Sequence, residues 1–167
     1  MNSRILKPLG GVISMLLSIA LLFVGAPGYA QDKSADMNMQ ILRDKLKADK
    51  KVLVAANMQL TDAEAKAFWP IYDQYQNDLS AVNKRLGEGI LAYANAYKAG
   101  PISDGAAKKF LDEAIAIDDA ESRLRKDYAA KLTGAIPAAK AARYLQIESK
   151  IRAAIRYELA AEIPLVQ

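Results

Sequence analysis

The sequence predicts an all-α protein of four helices, built on a long antiparallel helical hairpin that is elongated or curved. Apolar residues recur at steps of three and four over long stretches, which is the spacing of a buried helix face. A helix-start pattern at Leu60 returns in weaker form at Ile102 and Ile136. No alternating run of β-branched and aromatic residues bounded by turn pairs indicates a strand.

Residues 1–30 have the features of a cleavable export signal. Arg4 and Lys7 precede an apolar run over residues 12–24, and the small residues Gly28 and Ala30 suit signal peptidase. This run is closer to a signal core than to the ~20 residues that a membrane span requires, so an uncleaved anchor is the less favoured interpretation. We therefore expect a periplasmic protein.

The remaining chain is predicted to be a flexible lead at residues 31–36 and a single helical domain at 37–167. It has no cysteine, so stability in an oxidising compartment has to come from packing. The net charge is only +4, and acidic and basic residues are interspersed. A nucleic-acid-binding role has no support, because no basic stripe is interleaved with exposed aromatic residues.

An apolar face with helical spacing predicts the first helix, which is expected to end near Asn57. That face consists of Met39, Leu42, Leu46, Leu53 and Ala56. The other faces carry Asp44, Lys45, Lys47, Lys50 and Lys51. A solvated helix face is the favoured interpretation of this basic surface, and contact with anionic membrane headgroups or with an acidic partner is the alternative.

The second helix is predicted to begin at Leu60 and to end near Ala99, before Gly100 and Pro101. Thr61 and Glu64 have the spacing of a reciprocal capping box, and Leu60 precedes the cap as a hydrophobic staple. A near-heptad stripe follows: Phe68, Tyr72, Tyr75, Leu79, Val82, Leu86, Ile90, Tyr93 and Tyr97.

This helix is too long for a compact domain. At about 1.5 Å per residue it spans roughly 57 Å, so either the helix bends or the molecule is elongated. Pro70, which lacks a backbone N–H, and the segment from Gly87 to Gly89 are the predicted places for a bend.

The third helix is predicted to start at Ile102 and Ser103 and to lie antiparallel to the second, with residues 98–101 as a short connection. Its stripe is Ala114, Ile117, Glu121, Leu124 and Tyr128. Glu121 interrupts this apolar stripe, so it is expected at the edge of the helix seam or in an ion pair with an arginine of another helix.

The fourth helix is predicted to start near Ile136, with Pro137 at the favoured first helical position, and to end at Pro164. Glu148 and Arg152 are four residues apart, and Arg156 lies one turn further. The favoured interpretation of these charges is a chain of ion pairs along the helix surface. The alternative is a polar rim beside an apolar groove that orients a partner.

The residue inventory argues against an enzyme. Without histidine or cysteine, Ser–His and Cys–His nucleophiles and the common zinc sites are excluded. Acidic pairs such as Asp118–Asp119 point in different directions on a helix and do not converge. Met37, Met39 and Met58 are better explained as core or chain-end residues than as Cu(I) ligands. No cofactor or metal is expected.

A binding role is favoured by the aromatic stripes, since tyrosine gives a broad contact area at low entropy cost. Several tyrosines are expected to fill the seams between helices, and others to stay exposed. The candidate partner-binding residues are Phe68, Trp69, Tyr72, Tyr75, Tyr93, Tyr97, Tyr128, Tyr144, Arg152 and Arg156.

The segment Leu60-Thr61-Asp62-Ala63-Glu64 resembles the Leu-Thr-x-x-Gln motif of the periplasmic helical-hairpin family that includes the Spy chaperone and the CpxP stress adaptor, with Glu64 in place of glutamine. The resemblance implies a hairpin-based homodimeric cradle that binds unfolded or envelope proteins, or the periplasmic domain of a sensor kinase. The metal-sensing role of histidine-rich relatives is not implied. The alternative function is a dedicated structural or regulatory subunit that packs on one envelope partner.

Overall fold

The computed structural model describes residues 48–166, which contain four α-helices and no strand. These are α1 (residues 48–58), α2 (Asp62–Ala99), α3 (Asp104–Ala135) and α4 (Ala138–Glu162). The predicted all-α class is confirmed. The predicted signal, the lead and the start of the first helix lie outside the described residues. None of the described helices is long and apolar enough to cross a membrane.

The two longest helices, α2 and α3, pack side by side in opposite directions. The rings of Tyr75 and Tyr128 lie 5.0 Å apart between centroids, whereas Tyr93, further along α2, meets Phe110 at 5.4 Å. Later residues of α2 therefore meet earlier residues of α3. α2 stays helical over all 38 residues, through Pro70 and through Gly87. The bend expected at these positions stays a prediction.

α4 runs parallel to α2 and antiparallel to α3. Tyr144 packs against Phe68 with ring centroids 5.1 Å apart, and one turn further along α4 Glu148 accepts a hydrogen bond from Gln76 of α2 over 2.9 Å. Against α3 the order reverses, because Arg156 bonds Asp118 while Arg152 bonds Glu121. α4 therefore closes a three-helix array with α2 and α3.

α1 packs across the first half of α2 and corrects the predicted apolar face of this helix. Val54 and Met58 are fully buried, whereas Ala56, which was assigned to the apolar face, is exposed. Lys50 was assigned to a solvated face, but its ammonium is tied to Gln76 of α2 and Glu148 of α4. Leu53 and Ala56 have the spacing of one helix face, and Val54 and Met58 have the spacing of another. The packing of α2 and α4 against α1 buries Val54 and Met58. Met58 fills the core, as expected.

The buried core lies at one end of the array. On α2 the buried residues stop at Leu79, although the apolar stripe continues to Tyr97. The core cluster contains Val54, Met58, Phe68, Tyr72, Tyr75, Leu79, Tyr128, Leu132, Ile136, Ala141 and Tyr144. The molecule thus has a core half, where α1 covers the other helices, and an open half around the connection between α2 and α3.

The helix starts follow the predicted capping motifs, with one shift. Thr61 and Glu64 form the reciprocal capping box at α2, and Ser103 caps α3 by accepting from the N–H of Ala106. Pro137 is the N-cap of α4 and not its first helical residue, because its ψ of 136° is extended. Gly100 ends α2 with φ at 131°, a conformation that favours glycine.

Candidate functional site

Five of the ten predicted partner-binding residues form the core and offer no surface in this structure. They are at most 3% exposed: Phe68, Tyr72, Tyr75, Tyr128 and Tyr144. Two phenol groups have partners inside the bundle, since the hydroxyl of Tyr128 donates to Asp78 over 2.6 Å and that of Tyr144 accepts from Gln76 over 3.0 Å. A tyrosine can enter the core because its hydroxyl finds such a partner there.

Burial also keeps these tyrosines uncharged. Desolvation raises the pKa of Tyr75 to about 12, and desolvation together with the hydrogen bond to Asp78 raises the pKa of Tyr128 to about 12. The pKa values of Tyr72 and Tyr144 are also raised, chiefly by burial and then by the nearby charge of Glu148. At neutral pH these phenols act as packing and hydrogen-bonding groups.

The other aromatic candidates reach the surface in part. Trp69 is half-buried, and the ammonium of Lys51 lies 5.1 Å from its ring centroid. Tyr93 and Tyr97 stack on each other in the open half, and the hydroxyl of Tyr93 donates to the carbonyl of Pro164 over 2.8 Å. This last contact holds the C-terminal segment against α2.

Arg152 and Arg156 bind partners on other helices, so the predicted chain of ion pairs along α4 is wrong. Arg152 donates to Glu121 of α3 and, over 2.9 Å, to Asn83 of α2. Arg156 donates to Asp118 and Glu121 of α3. The expectation that Glu121 pairs with an arginine of another helix is confirmed.

Glu148 likewise turns inward, away from Arg152. It is only 5% exposed and accepts hydrogen bonds from Lys50 over 2.7 Å and from Gln76 over 2.9 Å. The face of α4 that carries Glu148 and Arg152 packs against α2 and α3, so interhelical partners replace the intrahelical one. A buried charged side chain needs such partners, because an unpaired one is costly.

These ion pairs surround a cavity that we call the interhelical groove. It has a volume of about 370 Å³ and lies between α2, α3 and α4. Its apolar walls include Leu79, Ile151 and Ile155, and Arg125 of α3 lies at its edge. The Nη2 atom of Arg152 is buried and has no hydrogen-bond partner among residues 48–166.

A second surface of interest, the exposed apolar surface, is concentrated in the open half. Its six large side chains are 43–87% exposed: Leu91, Leu111, Ile115, Tyr157, Leu165 and Val166. Among the described residues, Val52 is the one large exposed apolar side chain in the core half. Leu91, Leu111 and Ile115 were not selected from the sequence, because they lie outside the periodic apolar stripes of α2 and α3.

Convergent metal-binding groups are not found in residues 48–166. No group of three or more acidic side chains in this part of the chain is placed to hold a metal ion. Asp118 and Glu121, the acidic residues nearest to the interhelical groove on α3, are both engaged by arginines. The arrangement is suited to binding through apolar area and through charge.

Comparison of the chain with protein-family models, with curated proteins and with solved structures found no match. The resemblance at residues 60–64 therefore rests on those residues alone.

Proposed function

We propose that this chain is a non-enzymatic periplasmic protein of the envelope stress response, which binds apolar segments of non-native proteins as an ATP-independent holdase or as a stress-response adaptor. The observation that carries the proposal is the exposed apolar surface in the open half. The predicted export signal supports the compartment, and the resemblance at Leu60–Glu64 supports this class of function and a homodimer.

The physical basis is the removal of apolar area from water. Each ~100 Å² of apolar surface that a client covers contributes about 2.5 kcal/mol before the costs of association. Solvent-exposed ion pairs in the same half, Lys84–Glu88 and Lys108–Asp112, favour solubility of the free protein.

A test of the holdase uses an aggregating client and two variants. Wild-type protein is expected to suppress client aggregation, and the double substitution Leu111→Gln with Ile115→Gln is expected to weaken suppression severalfold. The control is Val52→Gln, which changes an apolar residue of the core half that is more exposed than Leu111 or Ile115 and should keep wild-type activity. Thermal unfolding of each variant checks that the fold is retained.

Two outcomes contradict the proposal at different levels. If wild-type protein leaves aggregation unchanged at severalfold excess, the holdase function is wrong. If the double variant suppresses aggregation as well as wild type, the function stands and the exposed apolar surface is not its site.

The dedicated-subunit alternative uses the same surface but predicts a different set of partners. Affinity capture from envelope extracts is expected to recover many proteins if the chain is a holdase. One stoichiometric partner would favour the subunit instead. A solution mass measurement on the free protein tests the homodimer.

A further inference from the structure

We propose that α1 is a displaceable cover over a helix-binding groove, and that a basic amphipathic helix of a partner protein takes its place there. We call this surface the α1-binding groove, and it lies between α2 and α4 under α1. Its residues are Phe68, Trp69, Tyr72, Asp73, Gln76, Tyr144 and Glu148. None of them belongs to the exposed apolar surface, so the proposal is independent of the holdase function.

The first argument is the charge at one end of the α1-binding groove. Lys50 donates to Glu148 over 2.7 Å and to Gln76 over 2.8 Å. Lys51 pairs with Asp73 over 2.7 Å. Among residues 48–166, neither carboxylate has a second ion pair. Removal of α1 therefore leaves two unmatched negative charges, and a helix that carries lysine or arginine at this end neutralises them.

The second argument is the apolar part of the groove. Val54 and Met58 follow Lys50 at steps of four residues on one face of α1, and both are fully buried. They belong to the same core cluster as Phe68 and Tyr144. An amphipathic helix binds a groove through anchors at this spacing. α1 thus shows which partner fits, namely a helix with one basic and two apolar residues at successive steps of four.

The third argument is that α1 is a separable element. A three-residue connection joins it to α2, and in this connection Gln59 has a φ of 49°, a left-handed conformation that is uncommon for residues other than glycine. In the described part of α1 only two side chains are buried. The other three helices contact one another directly, since Tyr75 of α2 packs against Tyr128 of α3 and Tyr144 of α4. An element with few buried contacts opens at lower free energy than the whole fold, so α1 can leave while α2, α3 and α4 stay joined.

Opening of α1 can be measured with a thiol reagent, because the chain has no cysteine. Val54→Cys places a thiol on the buried face of α1, and Leu132→Cys places one in the core of α3, where both original side chains are 0% exposed. Under native conditions the thiol at position 54 is expected to react about tenfold faster or more, since α1 opens without unfolding of α3. The leucine change removes more packing, so destabilisation alone favours the opposite result. Equal rates would mean that α1 leaves only on global unfolding, and would overturn the proposal.

The binding experiment removes the cover by changing α1 only. Val54→Gln with Met58→Gln deletes both apolar anchors and leaves the residues of the groove unchanged. The control, Val52→Gln with Ala55→Gln, changes two exposed residues of α1. The probe is a fluorescein-labelled peptide with the sequence of residues 48–60, followed by fluorescence polarisation. The anchor-deleted variant is expected to bind it about tenfold more tightly than the wild type or the control, because intact α1 competes at high effective concentration.

Trp69, the single tryptophan of the chain, reports whether the groove is filled. It is half-buried, and the ammonium of Lys51 lies 5.1 Å from its ring centroid. Its emission is expected to shift to longer wavelength in the anchor-deleted variant, because departure of α1 exposes the ring to water. Addition of unlabelled peptide, which contains no tryptophan, should reverse this shift.

Two altered peptides serve as specificity controls. One carries Lys50→Glu with Lys51→Glu, and the other carries Val54→Gln with Met58→Gln. Both should bind the anchor-deleted variant about tenfold more weakly than the unaltered peptide, whose own affinity should fall as salt is added. Equal binding of all three peptides overturns the proposal, as does absence of binding at roughly 1 mM peptide.

Two further results would also overturn it. If the anchor-deleted variant shows no cooperative thermal unfolding, α1 is a necessary part of the fold and not a displaceable cover. If the wild type forms a dimer that the anchor-deleted variant does not form, the groove is occupied by α1 of a second copy and not by a partner protein.

Discussion

Thr61 fixes the start of α2 through its side chain and its backbone. Its Oγ accepts from the N–H of Glu64 over 3.3 Å, and its own N–H donates to the Glu64 carboxylate over 2.7 Å. Lys140 of α4 donates to the same carboxylate. Hydrogen bonds from Lys140 first and from the Thr61 N–H next hold the pKa of Glu64 below its usual value. The cap therefore joins two helices.

Replacing this cap is expected to reduce stability and to leave binding unchanged. Thr61→Ala should lower the free energy of unfolding by about 1 kcal/mol, because the N–H of Glu64 loses its acceptor. Ser80→Ala is the control, since Ser80 is an exposed residue inside α2 and alanine favours helix. Denaturant unfolding measures both variants. A selective loss of client binding by Thr61→Ala at equal folded fraction would contradict a purely architectural role.

For single residues, contacts between near neighbours in the chain could be predicted from the sequence, whereas contacts between helices could not. The capping box depends on residues 61–64 only, so spacing and residue type suffice to find it. Glu148 and Arg152 also have the spacing of an intrahelical pair, yet each binds residues of other helices that are at least 31 positions away. Contacts with other helices replace the intrahelical pair, and the spacing of residues along one helix does not predict such contacts.

For a whole helix, α1 shows the same limit: the sequence does not determine which face packs against the other helices. Its sequence allows two overlapping apolar faces, one with Leu53 and Ala56 and one with Val54 and Met58. The structure buries the second face, because Val54 and Met58 reach the aromatic cluster while Lys50 reaches Glu148. The lengths of the longer helices were predictable, since caps and breakers such as Gly100 act locally.

A pair of valine variants tests which face of α1 contributes to the free energy of unfolding. Val54→Ala removes two buried methyl groups and is expected to lower the free energy of unfolding by about 2 kcal/mol, from lost transfer energy and the remaining cavity. Val52→Ala makes the same chemical change two residues earlier, where the side chain is 68% exposed, and should cost less than about 0.5 kcal/mol. Equal costs, measured by denaturant unfolding, would show that α1 does not pack as described.

At the scale of the molecule, stability and binding area are divided between the two halves. The apolar stripe of α2 is continuous in sequence, but only its first part meets α1 as well as α3 and α4. The second part lacks this cover, so Ile90 and Tyr93 are only half-buried. Gly87 and Gly89 weaken the same part, since glycine in a helix interior costs about 1 kcal/mol relative to alanine.

Amide hydrogen exchange should reveal this division directly. Backbone amides of residues 68–79 are expected to exchange only through near-global unfolding, whereas those of residues 87–97 exchange through local opening at lower free energy, because few buried contacts oppose it. Exchange measured along α2 under native conditions gives both values in one experiment. If a second copy of the chain covers the open half, protection of residues 87–97 will rise with protein concentration while that of residues 68–79 stays constant. Uniform protection along α2 that does not depend on concentration would contradict the division into a core half and an open half.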